Sequence, residues 1–540
     1  MVSLYSYEGV QNSYPKTISW NSSIDCCLWD GVTCDESTGQ VVELDLSCSQ
    51  LLGTIDSNST LFHLSHLQKL NLAGNRFDGS FISHKFGDFS YLTHLNLSSS
   101  RLSGQIPSKI LHLPNLISLD LGDSLHSYSL FEIRNHDFMF LLQNATQLRE
   151  LVLDGIPIHS SIPPNVSSSI TTLSLSYTKL QGSLPSNIFH LPNLQKLFLQ
   201  GNENLSIHFP STRWNSSLSL SYLDLGTGCP PNIIESLRNL SRVKYLGLEN
   251  CGLSGKVSES ILDLEQLTTL DLSYNSLEGG FPDLFIKLWR LKRLFLYSNS
   301  FTAQFPSSIT NIIKLWRLKS SNQLQGSIPT ILSNQKNLIF LELSSNNFSG
   351  TIELDMFSNL ERIMALDLSN NRLSAVSNLK INSTSWLENL NYLGLSSCNL
   401  MNFNFLRDSK SLEYLDLSNN KIQGRIPEWA WSNWQDTMSE RDSPAIRAFF
   451  FPLPFSLVSS ICLCLVSGGW LSAGGGLSAG NMAANGQTWP WIGSLADRKT
   501  KKVHANGTLL HTVVAGEGCA QANWRDQSSH KQSVLEEICV

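Results

Sequence analysis

A chain in which L-x-x-L-x-L-x-x-N-x-L-x-G-x-I-P returns every 22 to 26 residues, from about Val41 to Trp434, is expected to fold as an α/β-type leucine-rich-repeat solenoid. The concave face of such a solenoid is a curved parallel β-sheet, and its convex face is irregular and 3-10-helical. Three observations carry the expectation. The first is the period itself, clearest in Leu267, Leu270, Leu272, Asn275, Leu277, Gly279, Phe281 and Pro282, and again from Leu412 to Pro427. The second is a group of three cysteines, Cys26, Cys27 and Cys34, around Trp29, just before the first copy. A solenoid must hide the open end of its core at that point. The third is composition: 41% of residues are hydrophobic and only 15% charged, below the usual quarter, so the polar surface is Ser, Asn and Thr.

The elements follow in chain order. Residues 1–40 form an N-terminal cap, 41–434 about sixteen repeats, and 435–540 a tail without the repeat, unrelated to the solenoid and disordered. In the cap, a Cys27–Cys34 disulfide would staple the chain and imply an oxidising compartment. A zinc site is the alternative, and it lacks a fourth ligand and a regular spacing. Copies begin near Val41, Leu67, Leu92, Leu116, Leu148, Ile170, Leu194, Leu220, Val243, Leu267, Leu291, Leu315, Leu338, Ile363, Leu390 and Leu412. In each, L-x-x-L-x-L puts leucines inward along a short strand and the x positions outward.

The ninth position is a buried ladder. Its amide is expected to satisfy backbone groups of neighbouring repeats that would otherwise be orphaned. Asn75, Asn202, Asn275, Asn299, Asn322, Asn346, Asn371 and Asn420 occupy it, and Ser49, Ser100, Ser124 and Thr178 do part of the same work. Cys251 and Cys398 also fall there, and read as buried ladder members in preference to metal or redox groups. Two places break the rhythm. Ser124 to Asn144, with Arg134, Asn135, His136 and Asp137, is an insertion expected to bulge as a loop. Leu318 precedes Asn322 by four residues, where Leu270 precedes Asn275 by five. The missing core position implies a small void or an inward Lys319, costing about 1–4 kcal/mol.

Outward positions of neighbouring strands make the face a ligand would meet. In repeats seven to twelve they include Lys196, Phe198, Tyr222, Asp224, Lys244, Tyr245, Glu249, Lys292, Arg293, Phe295, Tyr297, Trp316 and Arg317. Aromatics interleaved with Arg and Lys are the chemistry of interface hot spots. An acidic or glycan-bearing partner suits it, although charge on a solvated strand face is also what any such sheet shows. A formal net charge of -6 and the lack of a basic stripe argue against nucleic acid. There is no H-E-x-x-H, G-x-S-x-G, P-loop or kinase signature set, so catalysis is not expected, nor a cofactor or resident metal. His63, His66, His84, His94 and His112 are not at ligand spacing. Sequons begin at Asn21, Asn58, Asn96, Asn144, Asn165, Asn204, Asn215, Asn239, Asn347, Asn382 and Asn506, and several would carry glycans in a secreted chain. Asn96 lies on the concave side, where a glycan would block part of the face.

The cap from Trp20 to Asp35, followed by repeats ending in Ile106-Pro107, Leu184-Pro185 and Ile328-Pro329, resembles plant extracellular leucine-rich-repeat proteins. The runs Val41 to Leu52 and Ser90 to Ser98 look like the kinase-less receptor-like proteins of plant disease resistance. The resemblance covers about four-fifths of the chain. It implies a plasma-membrane receptor with its ectodomain outside, binding a protein, peptide or glycan ligand in defence or development and signalling through partner receptor kinases. It also implies that Cys26 has lost its usual partner unless Cys48 substitutes. The alternatives are a secreted inhibitor of pathogen cell-wall-degrading enzymes and a non-functional truncated product. Sixteen copies and the insertion favour the receptor.

Both ends depart from that family. The chain begins Met1-Val-Ser-Leu-Tyr-Ser-Tyr, with no basic segment leading an apolar one. In the tail, the apolar run at 448–466 is about long enough to span a bilayer, with Arg498, Lys499, Lys501 and Lys502 beyond it. Pro452, Pro454 and the glycines from Gly468 to Gly480 oppose a helix there. Phe, Leu, Pro and Ser are also the residues of pyrimidine-rich codons, so translated intron is the competing reading, and both termini are expected to be gene-model artefacts. Leu412, Leu415 and Leu417 would then present an open apolar end unless Trp429, Trp431 and Trp434 fold over it.

Overall fold

The computed structural model describes residues 13–430 apart from 124–128, 210–218, 231–232, 238–239, 281–283, 303, 305–316, 320, 378–384, 410, 413, 424–426 and 428, together with the strands Ile446–Ala448 and Leu463–Leu465. Sixteen short parallel strands, from Val41–Asp45 to Tyr414–Asp416, stack side by side in one sheet. Register is constant: Leu44 pairs with Leu70, Leu70 with Leu95, and so on to Leu393 with Leu415. This central leucine and the leucine two residues later point into one continuous core, and Leu270 and Leu272 are fully buried there. Each such side chain contributes about 1.5–3 kcal/mol of apolar burial, which a single repeat could not gain alone.

The ladder asparagines bind as their position requires. Asn275 Nδ2 donates to the carbonyls of Leu248, one repeat back, and Leu272, each at 2.9 Å, while its Oδ1 accepts from Leu253 N at 2.9 Å. Asn75 and Asn420 repeat the arrangement. Ser49 and Thr178 donate to carbonyls of their own repeats, Ser47 and Leu175, and Thr178 also to Asn202 Oδ1 of the next at 3.2 Å; Ser124 lies outside the described residues. Cys398 is a buried free thiol in its slot, pushed up to about 12 by burial and by the charges of Asp367 and Asp416. Cys251 is buried too, but it is not simply a ladder member: it forms a disulfide with Cys229. Stacking brings the ladder slot of one repeat beside the turn of the repeat before, and the two Cα atoms are 5.0 Å apart.

The return path explains the rest of the motif. Pro107, Pro185 and Pro329 sit immediately before the convex turns Ser108–Leu111, Ser186–His190 and Thr330–Asn334, where a fixed φ favours helix initiation. The motif glycine is needed at Gly279, with φ +91°, because the chain there enters a left-handed conformation before turning. Beside the turns, lateral strands form small parallel sheets that were expected to be irregular, such as Ser254–Gly255, Ser276–Gly279 and Ser300–Phe301. The 3-10 helices of the convex side are present as expected.

The insertion is not only a loop. Asn135–Gln143 is an α-helix, because Phe138, Leu141 and Leu142 recur at helical spacing and are fully buried. Asp137 lies in its first turn, where a carboxylate favours the helix dipole, and accepts from Ser108 Oγ at 2.9 Å. At the slip, Arg317–Lys319 keeps register with both neighbours, Leu318 pairing Leu294 and Leu341. Asn322 still donates to Leu296 O at 2.7 Å, so the deletion falls between the strand and the ladder. The Lys319 side chain lies outside the description.

At the N-terminus, Val32–Cys34 pairs antiparallel on the first repeat strand. Trp20 and Trp29 stack at 4.9 Å, and Cys27 and Cys34 form a disulfide. Cys26 and Cys48 are each in a disulfide, so Cys26 is not left without a partner. At the other end Leu412, Leu415 and Leu417 are buried, Trp429 packs on Phe403 at 5.8 Å, and Leu463–Leu465 adds antiparallel to Tyr414–Asp416. Trp431 and Trp434 lie outside the described residues. Of the apolar run at 448–466, the described parts are strand, and no described helix is long and apolar enough to cross a membrane.

Candidate ligand-binding face

Outward side chains of the sixteen strands fall in columns, set by the constant register. The column before the central leucine carries Lys196, Tyr222, Tyr245, Thr269 and Arg293, and the column after it Phe198, Asp224, Gly247, Asp271 and Phe295. Basic groups thus collect on the leading side of the strands, with Lys244 and Lys292 beside them, and carboxylates on the trailing side, with Glu249 beyond.

The expected hot-spot residues divide. Lys244 is exposed, and Lys196, Tyr222, Lys292, Arg293 and Tyr297 are partly so. The Lys196 ammonium sits 5.5 Å above the Tyr222 ring, a cation–π contact that holds both on the surface. Phe198, Tyr245 and Phe295 are not the exposed anchors expected of them: all three are buried. Large side chains on nearby strands cover one another: Phe198 and Tyr245, two strands apart, have ring centroids 6.2 Å apart and planes tilted by 47°. Trp316 lies outside the described residues, and Arg317 is described as strand backbone only.

Two exposed aromatics were missed. Tyr177 and Tyr274 are 52% and 47% exposed, on the residue preceding the ladder position. The chain takes φ of +58° and +53° there, which turns the side chain toward the rim of the face. The sequence signal was available, since a tyrosine at a turn position usually held by Gly, Ser or Asn is anomalous. The Tyr177 ring lies over Gly201, where a Cβ would come within 2.2 Å of it. Tyr274 meets Tyr297 edge-on at 5.0 Å, and burial, then Tyr297, pushes its phenol up to about 12.

The most constrained group is Asp224. Its Oδ2 accepts from Tyr245 Oη at 3.0 Å, and its Oδ1 is buried without a hydrogen-bond partner. Burial first, and then the charge of Asp271, push its carboxyl up to about 7. Tyr245 is raised as well, by burial and then by Asp224. Tyr177 is raised by burial and by Glu249. Lone carboxylates of this kind bind or exchange protons and accept from cationic donors; among the described residues no nucleophile–base pair accompanies them. In the cap, Asp25, Cys26 and Cys27 approach one another, but both sulfurs are in disulfides, which removes the thiolates a zinc site needs.

Of the sequons, Asn21, Asn58, Asn144, Asn165 and Asn204 are exposed and Asn347 partly so. Asn204 and Asn347 lie in lateral strands, off the concave face. Asn96 is in a concave strand, with Oδ1 accepting from Ser98 N and Oγ. Asn215, Asn239, Asn382 and Asn506 lie outside the described residues.

Residues 8–35 match the leucine rich repeat N-terminal domain, and 91–113, 266–288 and 411–433 match the Leucine Rich Repeat. The chain is 42% identical over 480 residues to "Receptor-like protein 6" of Arabidopsis thaliana, covering 78% of this chain and 48% of that one. It is 50% identical over 218 residues to "Receptor-like protein Cf-9" of Solanum pimpinellifolium, covering 40% and 25%. The chain thus spans about half the length, or less, of these curated relatives. Among solved structures, "Crystal structure of PEPR1-AtPEP1" is similar at 23% identity and a TM-score of 0.42, over 72% of this chain and 60% of that one.

Proposed function

This chain is a leucine-rich-repeat homologue of the kinase-less plant receptor-like proteins, and from that premise we propose that it is the ligand-sensing part of a cell-surface receptor that signals through partner receptor kinases in defence or development. The observation that carries the reading is the concave sheet: sixteen strands in one register present a continuous face with cationic and carboxylate columns and exposed tyrosines. Such a face binds a partner along its length, with no nucleophile–base pair for chemistry. The ligand is a protein, a peptide or a glycan, held outside the cell, and the exposed sequons carry glycans. The disulfides Cys27–Cys34 and Cys229–Cys251 suit an oxidising compartment.

The test is expression of the tagged full chain in leaf tissue, followed by fractionation and precipitation. A receptor stays with membranes until detergent is added and brings down a receptor kinase. A chain that washes free in extracellular fluid and inhibits a pectin-degrading enzyme is a secreted inhibitor, and the proposal falls.

A further inference from the structure

We propose that the leading rim of the concave face is a docking track for an acidic polyproline II segment of a partner protein, whose carboxylates at every third position meet Arg149, Gln195 with its neighbour Lys196, Lys244 and Lys292 in turn. The inference rests on the ligand-binding reading above and assigns the ligand's chemistry and shape.

The track is one row of residues, each standing just before one of seven successive concave strands. Thr171, Ser221 and Thr268 alternate in it with Arg149, Gln195, Lys244 and Lys292. The row is joined amide to carbonyl, each amide donating to the residue before it at 2.7–2.9 Å.

The two kinds of member stand at different heights. Thr171, Ser221 and Thr268 turn their hydroxyls down onto the backbone, donating to the carbonyls of Arg149, Gln195 and Lys244 at 3.0, 3.2 and 2.9 Å. Arg149, Gln195 and Lys244 are exposed, and Lys292 is partly so. Among the described residues Arg149, Lys244 and Lys292 have no ion-pair partner. Glu150, next to Arg149, is turned to the strand before it, where it accepts from Ser118 Oγ at 3.0 Å. Beside Gln195, Lys196 supplies the cation, and partly exposed Tyr222 is an aromatic wall of the kind that receives proline rings. Asp224 and Asp271 stand on the other side of the central leucines, so the row is a cationic margin.

This relief sets the ligand's period. The long groups are two strands apart, about 9.6 Å, and a polyproline II helix returns every third residue to one face at about 9.3 Å. An extended strand returns a face at about 6.8 Å and is out of step by the second contact. Four contacts span about 29 Å, which about ten residues of polyproline II cover. Carboxylates suit the long positions because all four are donors and the lysines and arginine are cations.

The experiment uses the purified full chain and a fluorescein-labelled peptide of four Glu-Pro-Pro repeats. A permuted peptide has the same composition, with its glutamates at every second position. Fluorescence anisotropy is expected to show the repeat binding about fivefold tighter than the permuted peptide. Lys244→Gln and Lys292→Gln are each expected to weaken the repeat about two- to fivefold. Lys256→Gln, the same change of charge beside the lateral strand Ser254–Gly255, is expected to leave it unchanged. Thr268→Lys puts a cation in a gap, and is expected to tighten the permuted peptide and erase the difference. No binding of the repeat, equal affinity of the two peptides, or an equal loss in Lys256→Gln overturns the proposal. Oligogalacturonate binding more tightly than either peptide assigns the row to an acidic polysaccharide and overturns it too. None of these results touches the receptor reading if membrane retention and kinase precipitation hold.

Discussion

Lys16 Nζ lies 3.2 Å from Asp45 Oδ1 and donates to the Asp45 carbonyl at 2.9 Å, although Lys16 is only 4% exposed. The cap is thereby tied to the first repeat strand by an ion pair whose cation is buried and whose anion is partly solvated. Lys16→Met keeps the stem's packing and removes the donor. It is expected to destabilise the cap junction by about 1–3 kcal/mol, since the Asp45 carbonyl loses its partner. Thermal unfolding with limited proteolysis of the cap checks this; an unchanged melting point would show that the disulfide and the Trp20–Trp29 stack hold the cap alone.

Asn275→Ala is expected to cost about 2–4 kcal/mol, because the buried Leu248 carbonyl and Leu253 amide lose their partner at once, while Leu272 O keeps Asn299 Nδ2. The effect is local in a solenoid, where each repeat touches only its neighbours. Hydrogen exchange should quicken at the Leu253 amide and leave Leu51, served by Asn75, unchanged. Equal protection at Leu253 in the variant would remove the ladder from the stability of the stack.

Reducing Cys229–Cys251, or replacing both by Ala, is expected to lower stability by about 3 kcal/mol, the loop-closure value for a separation of 22 residues. A non-reduced peptide map should show the two cysteines in one linked fragment. Separate fragments with free thiols would return Cys251 to the ladder role that its spacing suggests.

How much of this was legible follows from what the period controls. The strands, the ladder and the Pro-led turns are each dictated within one repeat, so Leu270, Asn275 and Pro329 could be placed from their neighbours in sequence. What failed depends on contacts between repeats. Cys229 is one residue past its own ladder slot, and only stacking brings it to Cys251. Phe198 and Phe295 alternate outward as read, yet are buried by adjacent strands. The helix over Asn135–Gln143 was visible as apolar spacing, but was hidden by an expectation that a break in the period is a loop. In the binding face, Arg149, Gln195, Lys244 and Lys292 are unrelated in sequence until stacking sets a hydroxyl residue between each and the next.

Acid should stabilise the trailing column. Burial pushes Asp224 and Asp120 up to about 7, and it raises Asp367. The unfolded value is about 3.9, so between pH 4 and 7 the folded chain binds more protons than the unfolded one. For these groups stability is full below about pH 4 and is lost as pH rises toward 7, by an amount on the order of 4 kcal/mol at most for Asp224. Three groups oppose them, and the first, Asp35, is lowered by hydrogen bonds from Ser37 and then Thr38, so its contribution is lost only in acid below about pH 4. Asp88 is lowered, chiefly by its Lys109 hydrogen bond, and contributes stability that is lost in acid below about pH 4. His94 is lowered by burial, so its contribution falls as pH drops below about 6.5. Three raised carboxyls against one histidine set the sign, and the melting temperature is expected to be higher at about pH 5 than at about pH 7.5. Asp224→Asn keeps the shape and cannot ionise, so it should flatten the slope across this range by removing one titrating group. A melting temperature that rises with pH, with the same slope in Asp224→Asn, would mean that Asp224 is ionised in the fold and already paired.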